Sequence, residues 1–272
     1  MRIEIDHHTV YAYDEPVRYG VQEFRLTPRS YVGQQVQSWS IEAPGFEHAA
    51  SFVDAWGNAV HLVNQTRERI DLPIRVRGIV DTIDRGGIIG RLPHEPPARI
   101  FLRTTPLTRP DAAIEDMAAS LGQVPDKVEL CHALMAAIAG HMTFDTDVTH
   151  AGTTAAQAFV QRRGVCQDFS HVFIAACRQL ALPSRYVTGY LYMPAGQATS
   201  EAHHAWAETE IPGLGWVGFD PANGICPDAR YVRLACGPDA TLAAPLRGLR
   251  RGAGEERLSV SVSVQASAQS SQ

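Results

Sequence analysis

The sequence predicts an α+β protein, on three observations. Apolar residues recur at every second position through about the first hundred residues, at helical spacing through the middle of the chain, and at every second position again after Pro183. In the first part, Ile3 and Ile5 alternate with Arg2, Glu4 and Asp6. Leu72, Ile74, Val76 and Val80 repeat that period, with Arg75 and Arg77 on the other face. Shorter runs lie at Val36–Ile41 and Val60–Val63, and Asp54-Ala55-Trp56-Gly57-Asn58 reads as a hairpin turn, because Gly and Asn tolerate positive φ. Antiparallel strands with short turns predict a β-sandwich-like N-terminal domain over residues 1–105. Gly86-Gly87 and the Pro-rich stretch 92–97 read as a linker.

A second domain, residues 106–266, opens with helices. Ile114, Met117, Ala118 and Leu121 mark the first, with Gly122 as its stop. Leu130, Leu134 and Ile138 mark a second, ended by Gly140. Thr154-Ala155-Ala156-Gln157 has capping-box spacing for a short third, with Arg162, Arg163 and Gly164 suited to its C-terminus. Phe169, Val172, Phe173, Ala176, Cys177 and Leu180 form the stripe of a fourth, which Pro183 ends. Strands follow at 185–191, 203–211 and 216–220. Residues 252–272 have the composition of a disordered tail, yet Leu258, Val260, Val262 and Val264 alternate strictly with serines. A strand near 257–265 is therefore expected within the second domain, with only 267–272 loose.

Composition narrows the function. Lys and Arg number 24 against 29 Asp and Glu, a formal net charge of −5 over 272 residues, which disfavours binding driven by phosphate neutralisation. No run of about 18 apolar residues occurs, and Met1–His8 lacks the apolar core of a secretory signal. Five cysteines exclude a full disulfide framework. The expectation is a reduced, cytoplasmic protein with no nucleic-acid or membrane partner, in which each cysteine needs its own explanation.

Cys166 stands at the start of the fourth helix, in Gly164-Val165-Cys166-Gln167-Asp168. A helix start stabilises a thiolate through unpaired N–H groups and the positive end of the macrodipole. The Cys166 backbone N–H is also placed to donate to a tetrahedral oxyanion. The alternative is a buried structural cysteine on an apolar stripe. A nucleophilic thiol needs a base, and the base an orienting partner. His204 lies on one predicted strand and Asp220 ends the next, with Pro212-Gly213-Leu214-Gly215 between them. Residues directly opposed in a hairpin share a face, so an odd-length loop puts His204 and Asp220 together and an even one separates them. His203 is the rival base, on the opposite face.

Three motifs in order carry a resemblance: Arg163-Gly164-Val165-Cys166-Gln167-Asp168-Phe169-Ser170-His171, His204-Ala205-Trp206-Ala207-Glu208, and Gly215-Trp216-Val217-Gly218-Phe219-Asp220-Pro221-Ala222-Asn223. Together with Pro183–Tyr190 they resemble the bacterial transglutaminase-like family of the papain-like thiol enzymes, whose N-terminal domain the β-rich first hundred or so residues also resemble. The resemblance implies a papain-like transglutaminase core of helices packed on an antiparallel sheet. It implies Cys166 as nucleophile, His204 as general acid and base, and Asp220 as the residue that orients the imidazole. Tyr190 and Asn223 are candidates for lining the cleft, while Trp206 and Trp216 read as packing.

The remaining cysteines read as structural: Cys131 and Cys177 in helices, and Cys226 and Cys236 as thiols able to face one another. A zinc site drawn from Cys166, His171, His203 and Asp220 lacks C-x-x-C or H-E-x-x-H spacing, so no metal or cofactor is expected. The expected activity is thiol acyl transfer on peptide or protein amides, as a cysteine peptidase or amide hydrolase. Protein-glutamine transamidation by the same triad is the second reading, acetyl transfer from a thioester a narrower one, and a non-catalytic binding module the alternative of another class.

Overall fold

The computed structural model describes residues 1–194, 203–252 and 254–267. Six strands open the chain: β1 (Arg2–Val17), β2 (Tyr19–Thr27), β3 (Gln34–Glu42), β4 (Ala50–Val53), β5 (Ala59–Gln65) and β6 (Arg69–Thr82). The predicted alternation holds: Ile3, Ile5, Leu72, Ile74, Val76 and Val80 are buried, while Arg75 and Arg77 pair outside with Asp6. The 54–58 turn joins β4 to β5, closed by Asp54, whose carboxylate accepts the N–H groups of Trp56 and Asn58, with Gly57 at φ +86°.

The helices begin where their caps place them. Asp111 accepts the Ile114 N–H at the start of α1 (Ala112–Leu121), and Asp126 accepts those of Val128 and Glu129 at the start of α2 (Lys127–His141). Gly140 does not stop α2, which runs one residue further. A one-residue overrun is fraying at a helix end, where Gly lowers stability without forbidding the turn. The Thr154–Gln157 capping box opens α3 (Ala155–Gln161). Between and after these lie α4 (Cys166–Gln179) and two short parallel strands, β8 (Thr143–Phe144) and β9 (Arg163–Gly164).

A five-stranded sheet, in the order β13-β10-β11-β12-β7, backs α4. Its strands are β7 (Ile88–Gly90), β10 (Ser184–Leu191), β11 (His203–Ile211), β12 (Gly215–Phe219) and β13 (Tyr231–Gly237). All pairings are antiparallel. The apolar stripe predicts a fourth helix buried on one face, but α4 is buried on every side from Asp168 to Arg178. It lies between α1, α2 and α3 on one side and β10 and β11 on the other. The Arg178 guanidinium, buried within it, donates to the carbonyls of Phe101, Ser184 and Pro238 and to the Thr108 hydroxyl. Among the described residues, no helix is long and apolar enough to cross a membrane.

The chain closes with β14 (Leu246–Arg251) and β15 (Glu256–Ser267). The alternating strand expected near 257–265 exists, but it does not join the sheet of the second domain. It pairs with β1, giving the sheet β15-β1-β6-β3, and β14 pairs with β2 in the facing sheet β14-β2-β5-β4. Val262 and Val264 pack on the core these sheets share, because β1 presents a free edge that only a late segment can cover. Of the expected loose tail 267–272, residues 268–272 lie outside the described residues. Gly86-Gly87 and residues 92–97 are loops as expected, and between and after them β7 extends the second sheet beside β12 and Phe101 packs on Trp216. The two regions interlock, since Tyr190, Val232 and Leu234 of the second sheet join the core of Ile3, Phe24 and Ile74.

Candidate active site

Gly164 and Val165 lead into α4 and set Cys166 at its first helical position, where the N–H groups have no partner inside the helix. Asp168 folds back over this start. Its Oδ2 accepts the Val165 N–H at 2.9 Å and the Thr149 hydroxyl at 2.7 Å, which ties the loop before α3 to the helix. A Cβ on Gly164 would stand 2.6 Å from that oxygen, so glycine is required for the close approach. Burial raises the Asp168 pKa, partly offset by its two donors.

The hairpin carries the other two groups. Ala207 lies opposite Phe219 and Ile211 opposite Gly215, which leaves Pro212-Gly213-Leu214 as a three-residue loop. Gly215 takes φ +77°, the left-handed position such loops use. The odd loop puts His204 and Asp220 on one face, and His204 Nε2–H donates to Asp220 Oδ2 at 2.6 Å. His203 points the other way, 3.2 Å from the Thr188 hydroxyl and packed against Tyr190 and His7. Burial pulls its pKa down to about 4.

Asp220 is fully buried and its carboxylate accepts five donors. Oδ2 takes His204, the Asn223 amide at 2.7 Å and the Tyr231 hydroxyl at 2.7 Å; Oδ1 takes the backbone N–H groups of Ala222 and Asn223 at 3.0 and 3.2 Å. Burial opposes ionisation, but the donors, His204 foremost, hold the pKa below the ordinary carboxylate value. For His204 burial also opposes the charged form. Hydrogen bonds and charge interactions with Asp220 and Cys166 outweigh it and raise the pKa to about 10. Since Nε2 is committed to Asp220, Nδ1 is the nitrogen left for the thiol. His204 sits near the start of β11, close enough to Cys166 at the start of α4 for the two side chains to interact.

The structure therefore brings Cys166, His204 and Asp220 together. Asn223 belongs to the cluster. Tyr190 does not line it, because its hydroxyl bonds His7 Nδ1 at 2.9 Å and its ring lies in the core between the two regions. Trp206 stacks beside His204 with ring centroids 6.4 Å apart, and Trp216 lies under the Arg185 guanidinium at 3.8 Å. Tyr231 is the residue the sequence did not point to. It lies on β13, which pairs with β10, so no local spacing links it to Asp220. His171 faces away, its Nε2 accepting the Ala240 N–H, so the four residues of the drawn zinc site do not converge. Cys131 and Cys177 are buried neighbours in the core. Cys226 and Cys236 do not meet: the first lies 3.9 Å from His132 Nε2, the second 3.5 Å from the Trp56 carbonyl.

Residues 115–221, which span Cys166, His204 and Asp220, match the transglutaminase-like superfamily, and residues 3–81 match the bacterial transglutaminase-like N-terminal region. The chain belongs to the transglutaminase-like superfamily. It is similar to an uncharacterized protein of Mycobacterium leprae, 27% identical over 275 residues, covering 97% of this chain and 98% of the relative. An uncharacterized protein of Mycobacterium tuberculosis is 28% identical over 277 residues, covering 91% and 87%. The crystal structure of a proposed cysteine protease from Cytophaga hutchinsonii superposes with a TM-score of 0.74 at 23% identity, covering 98% of this chain and 92% of that one, and so shares its fold.

Proposed function

We propose that this protein is a thiol acyl-transfer enzyme that hydrolyses peptide or protein amides, with Cys166 as nucleophile, His204 as acid and base, and Asp220 as the group that orients the imidazole. The observation that carries this reading is His204, bonded at 2.6 Å to a buried, ionised Asp220 and raised to about 10 by that carboxylate together with Cys166. An imidazolium beside a thiol at a helix start is the arrangement that thiol acyl transfer requires.

The Cys166 thiolate attacks the amide carbonyl carbon, and the carbonyl oxygen becomes an oxyanion within reach of the Cys166 N–H. As the tetrahedral species collapses, the C–N bond breaks, His204 protonates the departing amine, and an acyl thioester remains. His204, now neutral, takes a proton from water, whose oxygen attacks the thioester; the C–S bond breaks and the acid leaves. A second amine in place of water gives transamidation.

Labelling tests the reading. Iodoacetamide should alkylate Cys166 first near neutral pH, and His204→Ala should abolish that preference. A Cys166 that reacts no faster than a free thiol would overturn the proposal. Turnover of amide substrates with and without added primary amine, followed by mass spectrometry of the acyl-enzyme, separates hydrolysis from transamidation.

A further inference from the structure

We propose that Tyr231 is a positioning residue for the imidazole, acting by sharing the carboxylate oxygen that holds His204. This rests on the triad reading above. Tyr231 starts β13, two strands across the sheet from β11, yet its hydroxyl reaches Asp220 Oδ2 at 2.7 Å, the same oxygen that takes His204 Nε2 at 2.6 Å. Its ring is set edge-on against His204 and Trp206, with centroids 6.0 and 5.4 Å away, which restricts where the hydroxyl can point. Burial and the Asp220 charge hold the phenol protonated, so it remains a donor wherever the protein is folded.

The consequence concerns proton release. A general acid must give its proton to the departing amine, and an imidazolium gripped by a buried carboxylate gives it up slowly. Each further donor on Oδ2 draws off part of the negative charge and weakens that grip. Tyr231 thus keeps His204 acidic enough to act. The other charged or titratable groups near the pair are Cys166 from α4 and Arg230 next to Tyr231, whose guanidinium is engaged by Asp228, while His203, next to His204 on β11, points to the opposite face. Asn223 shares Oδ2 too, but its amide does not titrate.

Two changes at one position test this in opposite directions. Tyr231→Phe removes the donor; fluorotyrosine placed at 231 makes it stronger without altering the packing. The readout is the His204 imidazole titration by NMR, assigned with His204→Gln, together with the alkaline limb of Cys166 alkylation by iodoacetamide. Tyr231→Phe should raise the His204 titration by about one pH unit and slow acylation about tenfold, with KM unchanged. The fluorinated phenol should lower the titration. A His204 titration that ignores both changes in folded protein overturns the proposal, and a variant that fails to fold leaves the fluorotyrosine arm to decide. If Cys166 proves unreactive while the titration follows donor strength, the positioning role stands and the enzymatic reading falls.

Discussion

His204 Nε2 and Asp220 Oδ2 meet at 2.6 Å across a hairpin whose loop has three residues. Replacing Asp220 with Asn removes the charge but keeps the shape, and the amide can present its N–H to the ring. The wrong imidazole tautomer then faces Cys166. We expect kcat to fall by about 10²–10⁴ with the far-UV circular dichroism spectrum unchanged. Near-normal turnover would mean that the carboxylate does not set the imidazole.

The His204 shift sets a pH window. Its folded pKa of about 10 lies above the unfolded 6.5, so the stability it contributes is complete below about 6.5 and is lost as pH rises through about 10. Asp220 has the opposite sign: its folded value is below 3.8, so its contribution is present above 3.8 and is lost as pH falls through the lowered value. Melting temperatures of wild type and His204→Gln should therefore differ most at neutral and mildly acidic pH and converge above about pH 10. The rate of Cys166 alkylation should show its alkaline limb in the same range.

Beneath the site lies a buried ion network. Glu208, with no exposure, binds Arg185 at 2.6 Å and Arg233 at 2.7 Å, and Arg185 also binds Glu95 at 2.7 Å. Burial would raise the Glu208 pKa, but the two arginines outweigh it and lower it. Glu208→Gln leaves two buried guanidiniums without their shared anion. The expected loss is about 3–5 kcal/mol, measurable by urea denaturation. A change below about 1 kcal/mol would show that the network behaves as surface pairs do.

Gly164→Ala probes the helix start without touching the reacting groups. The new methyl would lie 2.6 Å from the Asp168 carboxylate and must displace it, and with it the bond to Val165 N–H. We expect a loss of about 1–3 kcal/mol, with slower Cys166 alkylation and unchanged alkylation of denatured protein. Retention of wild-type stability would show that Asp168 relaxes freely and does not hold the helix start.

Local signals are legible in the sequence because their physics is local. The Thr154–Gln157 capping box, the 54–58 turn and the Leu72–Val80 alternation each depend on neighbours a few residues away, and each forms as expected. The hairpin parity is legible as a condition: only the loop length is open, and Gly215 at φ +77° decides it. Gly140 reads as a stop and is not one, because a glycine near a helix end weakens the helix without a local rule that fixes the last residue. The Leu258–Val264 strand is legible as a strand but not as to its sheet, because alternation specifies a face and not a partner.

By itself, the sequence determined the α+β class, the order of the four helices, and the placement of Cys166 at a helix start, His204 on a hairpin strand and Asp220 at the end of its partner, where it stands one residue beyond β12. Only the tertiary structure decided that Tyr231, not Tyr190, completes the cluster, and that the chain's last strand returns to its first. Both outcomes depend on strand order in a sheet. Periodicity and turn chemistry act over a few residues, whereas β13 beside β10 and β15 beside β1 are chosen by which edges are left to cover once the rest has packed.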